Sequence, residues 1–443
     1  MNFFGTLRTI VLLSGVALLS NACDTLFPDS AEKPLPGDRL SVMTHSRTVE
    51  ADPELADAEI VLPPPTINPD WPQAGGYANH AMHHIEVSDS LSEAWNEDIG
   101  DSGDDEERIV ASPIAASGRV FALDAETAVT AVDGESGRRL WSVELTPDEE
   151  DDGHISGGLA FENGQVFVST GFAQVIALNA ETGQVNWRRS VDGPMRAAPT
   201  VRGGRIFVIT VDNKLYAMNA QTGDTLWTYS AATEVASLLG GGSPAVDEGI
   251  VVAPFSSGEL IALRVESGRV LWTESLAAVR RTDVVSTLSH IRGRPIIDRG
   301  RVYAVSHSGQ MAAIDLRSGR RVWDKEIGGL ESPWVAGDYL FLLTNEAELI
   351  CLSRKSGRVF WVQTLPRFED EEDREDPIVW TGPILASDRL IVAGSQGESY
   401  AISPYDGRYL GKMEMPDGVS VPPIVANRTV YVLTDNASLV ALR

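Results

Sequence analysis

This sequence predicts an all-β fold: an eight-bladed β-propeller of four-stranded repeats, its last blade closed by a strand from the N-terminal side. Three observations predict it. The first is a recurring phrase, a turn glycine followed four residues later by tryptophan. It reads ESGRRLW (Glu135 to Trp141), ETGQVNW (Glu181 to Trp187), QTGDTLW (Gln221 to Trp227), ESGRVLW (Glu266 to Trp272), RSGRRVW (Arg317 to Trp323) and KSGRVFW (Lys355 to Trp361), with a degenerate copy, YDGRYLG, ending at Gly411. The second is the period. Gly137, Gly183, Gly223, Gly268, Gly319, Gly357 and Gly407 stand 38 to 51 residues apart, the length of one four-stranded blade. The third is that the two ends of the repeat region hold complementary fragments of one unit.

Taken in chain order, residues 1–22 read as an export signal and stay outside the fold. Arg8 is the only charge before TIVLLSGVALLS, an apolar run shorter than a membrane span needs. A small residue and then Cys23 after such a run resembles a bacterial lipoprotein signal, which would make Cys23 the lipidated first residue of the mature chain. Ser20 and Asn21 stand where that signal usually has Leu and a small residue, so a plain secretory signal and a retained anchor stay open as alternatives. Asp24 acts in some bacteria as an inner-membrane retention signal, which leaves the choice of membrane open. Residues 23–70 read as a tether rich in Pro and acid (FPDSAEKPLPGD, VLPPPTINPD). Such a stretch buries too little apolar surface to offset its ordering entropy.

The propeller occupies residues 71–443. Its unit is clearest at Ala197 to Ser230, where APTV, RIFVIT, KLYAMNA and DTLWTYS are four short strands separated by RGG, VDN and QTG. Alternation bounded by Gly, Asn and Asp is hairpin chemistry. Seven copies run from first strand to turn phrase. The eighth, VPPIVANRTVYVLTDNASLVALR, stops after its third strand, and SLSEAWNEDIG with Trp95 supplies the fourth from upstream. Closing the ring this way removes a loose sheet edge. The turn Gly is expected in a left-handed conformation. The Trp on the outermost strand is expected to cover the hairpin turn of a neighbouring blade. Gly411 replaces that Trp once, so its junction should be looser.

Composition narrows the function. With 36 Lys and Arg against 63 Asp and Glu, the net charge is -27, which argues against nucleic acid and anionic lipid heads as broad partners. The only cysteine besides Cys23 is Cys351, in a strand pattern, and it reads as a small buried hydrophobe. The glycines form no phosphate loop, and no Ser sits in a nucleophile elbow. His80, His83 and His84 in NHAMHHIE are weakly spaced for a metal, and the acidic loops lack a Ca²⁺-loop pattern.

The Gly-to-Trp phrase inside a four-stranded repeat resembles the pyrroloquinoline-quinone (PQQ)-type propeller repeat. Quinoprotein dehydrogenases share it, and so does the BamB family of outer membrane assembly lipoproteins. The resemblance covers roughly residues 70–443, and WPQAGGYANHAMHHIE looks like the opening segment of alphaproteobacterial members of that family. A dehydrogenase implies an adjacent Cys pair over the cofactor and a Ca²⁺ site, and this chain has no Cys pair. BamB resemblance implies no catalysis and no cofactor. It implies a scaffold on the periplasmic face of the outer membrane, binding the BamA-like barrel-forming subunit, with unfolded outer membrane protein clients as further partners. A PQQ- and Ca²⁺-dependent dehydrogenase, or another periplasmic ligand-binding propeller, is the alternative.

In that family the partner contact is made by the loops between blades three and four and between blades four and five. These correspond to EVASLLGGGSP (Glu234 to Pro244) and TLSHIRGRPIID (Thr287 to Asp298). Leu238 matches a family contact position. Leu239 stands where some relatives have Arg, and His290 and Arg292 stand where some carry Asp. Loop composition points the same way. EDIGDSGDDEE, TPDEEDDG and RFEDEEDREDP make one arc of the connection face acidic. The connections that contain the two loops named above, ATEVASLLGGG and AAVRRTDVVSTLSHIRGRP, are apolar and basic, with Arg280, Arg281, Arg292 and Arg294, and the glycine-flanked Leu238 and Leu239 read as an anchor on a mobile loop. Leu238, Leu239, His290, Arg292 and Arg294 are therefore the expected partner-binding residues.

Overall fold

The computed structural model describes residues 49–103, 108–148, 155–234, 238–277 and 289–443. Cys23, Asp24, Arg280, Arg281 and residues 104–107 and 149–153 of the first two acidic loops lie outside them. Among the described residues there are eight four-stranded antiparallel sheets, one two-stranded hairpin and a single short 3-10 turn at Pro53–Leu55. Each sheet is a blade. The first strands are Ile114–Ala116, Gly158–Glu162, Thr200–Arg202, Ala245–Asp247, Ile296–Asp298, Trp334–Ala336, Trp380–Ala386 and Ile424–Ala426, for blades one to eight. Most first strands touch those of neighbouring blades, which places them around the axis. Glu93–Asp98 pairs antiparallel with Ser438–Leu442, so the N-terminal side closes blade eight as predicted.

The strand sequences follow from depth. Second and third strands such as Arg205–Ile209 and Lys214–Asn219 are buried along almost their whole length and read as apolar runs, IFVI in the first and LYAM in the second. Fourth strands such as Thr225–Ser230 alternate between exposed and half-buried, and carry the polar residues. Across each blade one layer repeats. Phe207 faces Ala217, and Ala217 faces Trp227; Phe121, Ala131 and Trp141 do the same in blade one. The aromatic pair sits 6.0 Å apart in the first case and 5.8 Å in the second, with the small residue between them. In blade six that small residue is Cys351, between Phe341 and Trp361. It is fully buried, as the strand pattern predicts, and burial pushes its thiol up.

The tryptophans do what the repeat predicts. Trp141 lies over Gly183 of the next blade, and its indole N–H donates to Ala180 O at 3.2 Å. Trp95, Trp187, Trp227, Trp272, Trp323 and Trp361 cap Gly134, Ala220, Val265, Leu316, Arg354 and Pro404 in the same way, each three residues before a turn glycine. The turn glycine is required twice over. Gly183 has φ +73°, and a methyl group there would stand 2.8 Å from the Trp141 ring.

The largest departure from the sequence reading lies on the axis. Residues 68–85 form a plug that bonds to every blade in turn. Asn68 donates to Val425 O of blade eight at 2.8 Å. Trp71 exchanges backbone bonds with Ala115 of blade one, and Pro72 O accepts from Phe161 N–H of blade two. The Gln73 amide brackets Val201 of blade three. Ala78 O and Asn79 O accept from Val246 and Ile297 of blades four and five. His83 O accepts from the Trp334 indole of blade six, and Ile85 N–H donates to Leu385 O of blade seven. The three histidines are spent here separately. His80 is buried against Pro295 O, His84 lies between Pro63 O and the Asp388 N–H, and His83 sits 3.5 Å from Asp298. Upstream, residues 49–63 of the predicted tether lie against blade six, where Asp52 and Glu54 both pair with Arg358, and Thr66 bonds to His84 and Glu86.

Candidate partner-binding face

Each blade's chain runs from the axis outward and returns to the next blade across one face. That face carries the connections the sequence singles out. The connection into blade four ends in Leu238 to Pro244, and the one into blade five ends in Ser289 to Pro295. The two are stitched together: Leu238 N–H donates to His290 Nδ1 at 3.1 Å. His290 is buried, and burial holds it at about 4, with the nearby Arg292 and His307 adding to the effect. The neutral ring therefore accepts this bond at neutral pH and carries its proton on Nε2. His290 positions the loop and is not on display to a partner.

Leu239 is 40% exposed, while Leu238 is half-buried. The glycines that follow are there for close approach. A methyl group on Gly242 would stand 2.7 Å from the Pro254 ring and 3.1 Å from Ile291 O, so only glycine lets this strand of loop press between blades. The expected mobile anchor is, from Leu238 on, a pinned one.

The arginines also differ from expectation. Arg292 pairs with Glu331 at 3.2 Å and is partly covered. Arg294 is fixed through its backbone, whose N–H donates to Ser332 Oγ at 2.9 Å, and its side chain turns inward to the axis. Its Nε is buried with no hydrogen-bond partner among the described residues, and burial pulls its proton affinity down. The basic arc expected on the rim is thus, in its described part, a basic mouth at the channel. Two further residues belong to that mouth, Arg196 and Glu331. Their sequence signal was present: Arg196 and Arg292 each stand three residues before the Pro that opens a first strand, and Glu331 stands two before. The third acidic loop folds as a hairpin, Phe368–Asp370 with Glu375–Pro377, exposed along its carboxylates.

Comparison with known proteins bears on the chain as a whole. A family model described as outer membrane protein assembly factor BamB matches residues 90–151 and 125–363. The chain is 31% identical over 354 residues to the outer membrane protein assembly factor BamB of Shigella dysenteriae, covering 79% of this chain and 88% of that one. The Escherichia coli K12 protein of the same name gives the same identity and coverage, and that of Xanthomonas campestris is 29% identical over 81% and 87%. Among solved structures, BamB from Moraxella catarrhalis superposes with a TM-score of 0.69 at 18% identity, over 80% of this chain and all of that one. A europium-containing methanol dehydrogenase superposes at 0.65 with 15% identity, over 82% and 89%, a likeness of fold alone. The repeat, the closure of its last blade and this extent of identity together place the chain in the BamB family of outer membrane protein assembly factors.

Proposed function

We propose that this protein is a non-enzymatic scaffold lipoprotein of the β-barrel assembly machinery, assisting insertion of β-barrel proteins into the outer membrane. In this reading residues 1–22 are removed, Cys23 carries lipid, and the propeller stands at the periplasmic face of the outer membrane. It binds the periplasmic part of the barrel-forming subunit across the face that holds Leu238 and Leu239. The observation that carries the reading is family membership across the propeller. The exposed Leu239, held on a loop that His290 and three glycines fix in place, supplies an apolar anchor whose ordering cost is already met in the free protein.

The structure also selects the variant. Arg292→Glu would place a second carboxylate beside Glu331, and Leu238→Asp would strain a bonded segment, whereas Leu239→Asp changes an exposed side chain. Binding of the soluble chain (residues 24–443) to the periplasmic domains of the barrel-forming subunit should be measured for wild type and Leu239→Asp. Weakening of about tenfold or more, about 1.4 kcal/mol, is expected. Equal binding by the variant places the interface elsewhere, and no binding by the wild type overturns the scaffold reading.

A further inference from the structure

The centre of the connection face is a cup. Its floor is Ala74 of the plug. Its wall is made by the residues that lead into the first strands, among them Ser112, Arg196, Ser243, Arg292, Arg294 and Glu331. The space inside is about 50 Å³, room for a few waters or for one small polar group.

The charge in this space is unbalanced. Three guanidinium groups face one carboxylate, that of Glu331, which leaves two positive charges. Glu331 is committed: one oxygen holds Arg292 and the other accepts from Thr381 Oγ1 at 3.4 Å. Arg196 has no ion pair or hydrogen bond among the described residues, and Arg294 has neither for its guanidinium. One further acid stands behind the wall, Asp435, held by the Ser420 N–H and hydroxyl. An unpaired guanidinium out of water is costly. This protein keeps one with its Nε buried, Arg294, and a half-exposed second, Arg196, while its net charge is -27.

We infer that the cup is a binding site for a single carboxylate, delivered by an acidic side chain of a protein partner. A planar carboxylate matches the guanidinium fork, which can hold both of its oxygens. A dianion such as phosphate meets Glu331 at close range and fits less well. The source follows from the long-range field. A protein this acidic repels small anions diffusing toward it. A carboxylate carried on a bound partner reaches the cup because other contacts hold it there. The cup adjoins the pinned loop: Gly240 and Gly241 line it, and the Arg292 Nε would stand 3.2 Å from a methyl group on Gly240. A partner seated on Leu239 is thus close enough to place an acid in it. This assignment of the source rests on the scaffold reading; the carboxylate site itself does not.

Two measurements separate them. In the first, sodium propionate, which reproduces a glutamate side chain, replaces sodium chloride at constant ionic strength, and the unfolding midpoint of the soluble chain is followed. The wild type should be stabilised with a saturable dependence, and Arg196→Gln and Arg294→Gln should each show an apparent Kd at least fivefold weaker. Arg196 is half-exposed, so its variant reports even if Arg294→Gln folds poorly. No shift in the wild type, or the same shift in the Arg196→Gln variant, overturns the site. In the second, the same variants are tested against the periplasmic domains of the barrel-forming subunit. A loss of tenfold or more confirms a partner carboxylate. Unchanged binding beside a positive propionate result overturns the partner as source and leaves a free small acid. If the wild type does not bind those domains, the scaffold reading fails while the propionate result still decides the site.

Discussion

Seven blade junctions are sealed and the eighth is not, and the contrast explains the repeated phrase. At each sealed junction an indole covers a turn glycine and caps the carbonyl three residues before it. At the junction between blades seven and eight, Gly411 stands where the indole would be, with nothing within 4 Å of its missing side chain. A cleft of about 240 Å³ opens there, lined by Leu91, Ile391, Tyr400, Leu410 and Met413 among others. Blade eight takes its fourth strand from Glu93–Asp98, so no hairpin turn joins its third strand, Ser438–Leu442, to its fourth. With no turn glycine to cover, the tryptophan is absent too. Indole and turn form one unit, lost together.

The contrast can be broken in order of expected effect. Trp187→Ala at a sealed junction should cost about 3–5 kcal/mol, the range for truncating a buried aromatic, read as a fall in the urea midpoint. A smaller fall would mean that the indoles cover the surface without holding the ring. Acid should act on the centre instead of the junctions. His80 and His290 sit at about 3 and about 4 when folded, below their ordinary 6.5. The unfolded chain therefore binds more protons between those values. The stability these groups provide is complete above about pH 6.5 and is lost as pH falls toward 4 and then 3, at up to about 1.4 kcal/mol per pH unit for each histidine. His290→Asn, which keeps an acceptor for the Leu238 N–H, should remove about half of that slope. An unchanged slope would clear His290 of the role.

Next in size is a pair of glycines. Gly183→Ala combines φ +73° with a contact at 2.8 Å to the Trp141 ring, and should cost about 2–3 kcal/mol. Gly203→Ala, at φ +61° with nothing near, should cost about 1 kcal/mol. Equal costs would show that backbone conformation alone selects these glycines. The smallest effect is a gain. Gly411→Trp should fill part of the open cleft and add about 1 kcal/mol. A loss there would mean that the cleft is too shallow for an indole or that Tyr400 and Leu410 are not free to move.

What was legible in the sequence was what repeats or is local. The Gly-to-Trp phrase gave the period, and the fragments at the two ends gave both the closure and the blade count. Gly411 marked the loose junction, and the alternation around Cys351 marked its burial. The plug was not legible, because its bonds run to strands from about 40 to 360 residues away and impose no spacing on WPQAGGYANHAMHHIE. The connection face was half legible. Leu239 is exposed as its loop composition suggests. The burial of His290 and the inward turn of Arg294 depend on residues of neighbouring blades, which no local pattern records.

The plug also makes distant parts of the chain depend on each other. Residues 68–85 precede every blade in the chain, yet their first partner by position, Val425, stands 357 residues after Asn68. A chain short of its final blade would lack the third strand that receives Glu93–Asp98 and the carbonyl that receives Asn68. Both ends of the molecule would then stay open. The Asn68 bond and the closing strand pair therefore both depend on the last blade, while the plug's other bonds run to blades one to seven.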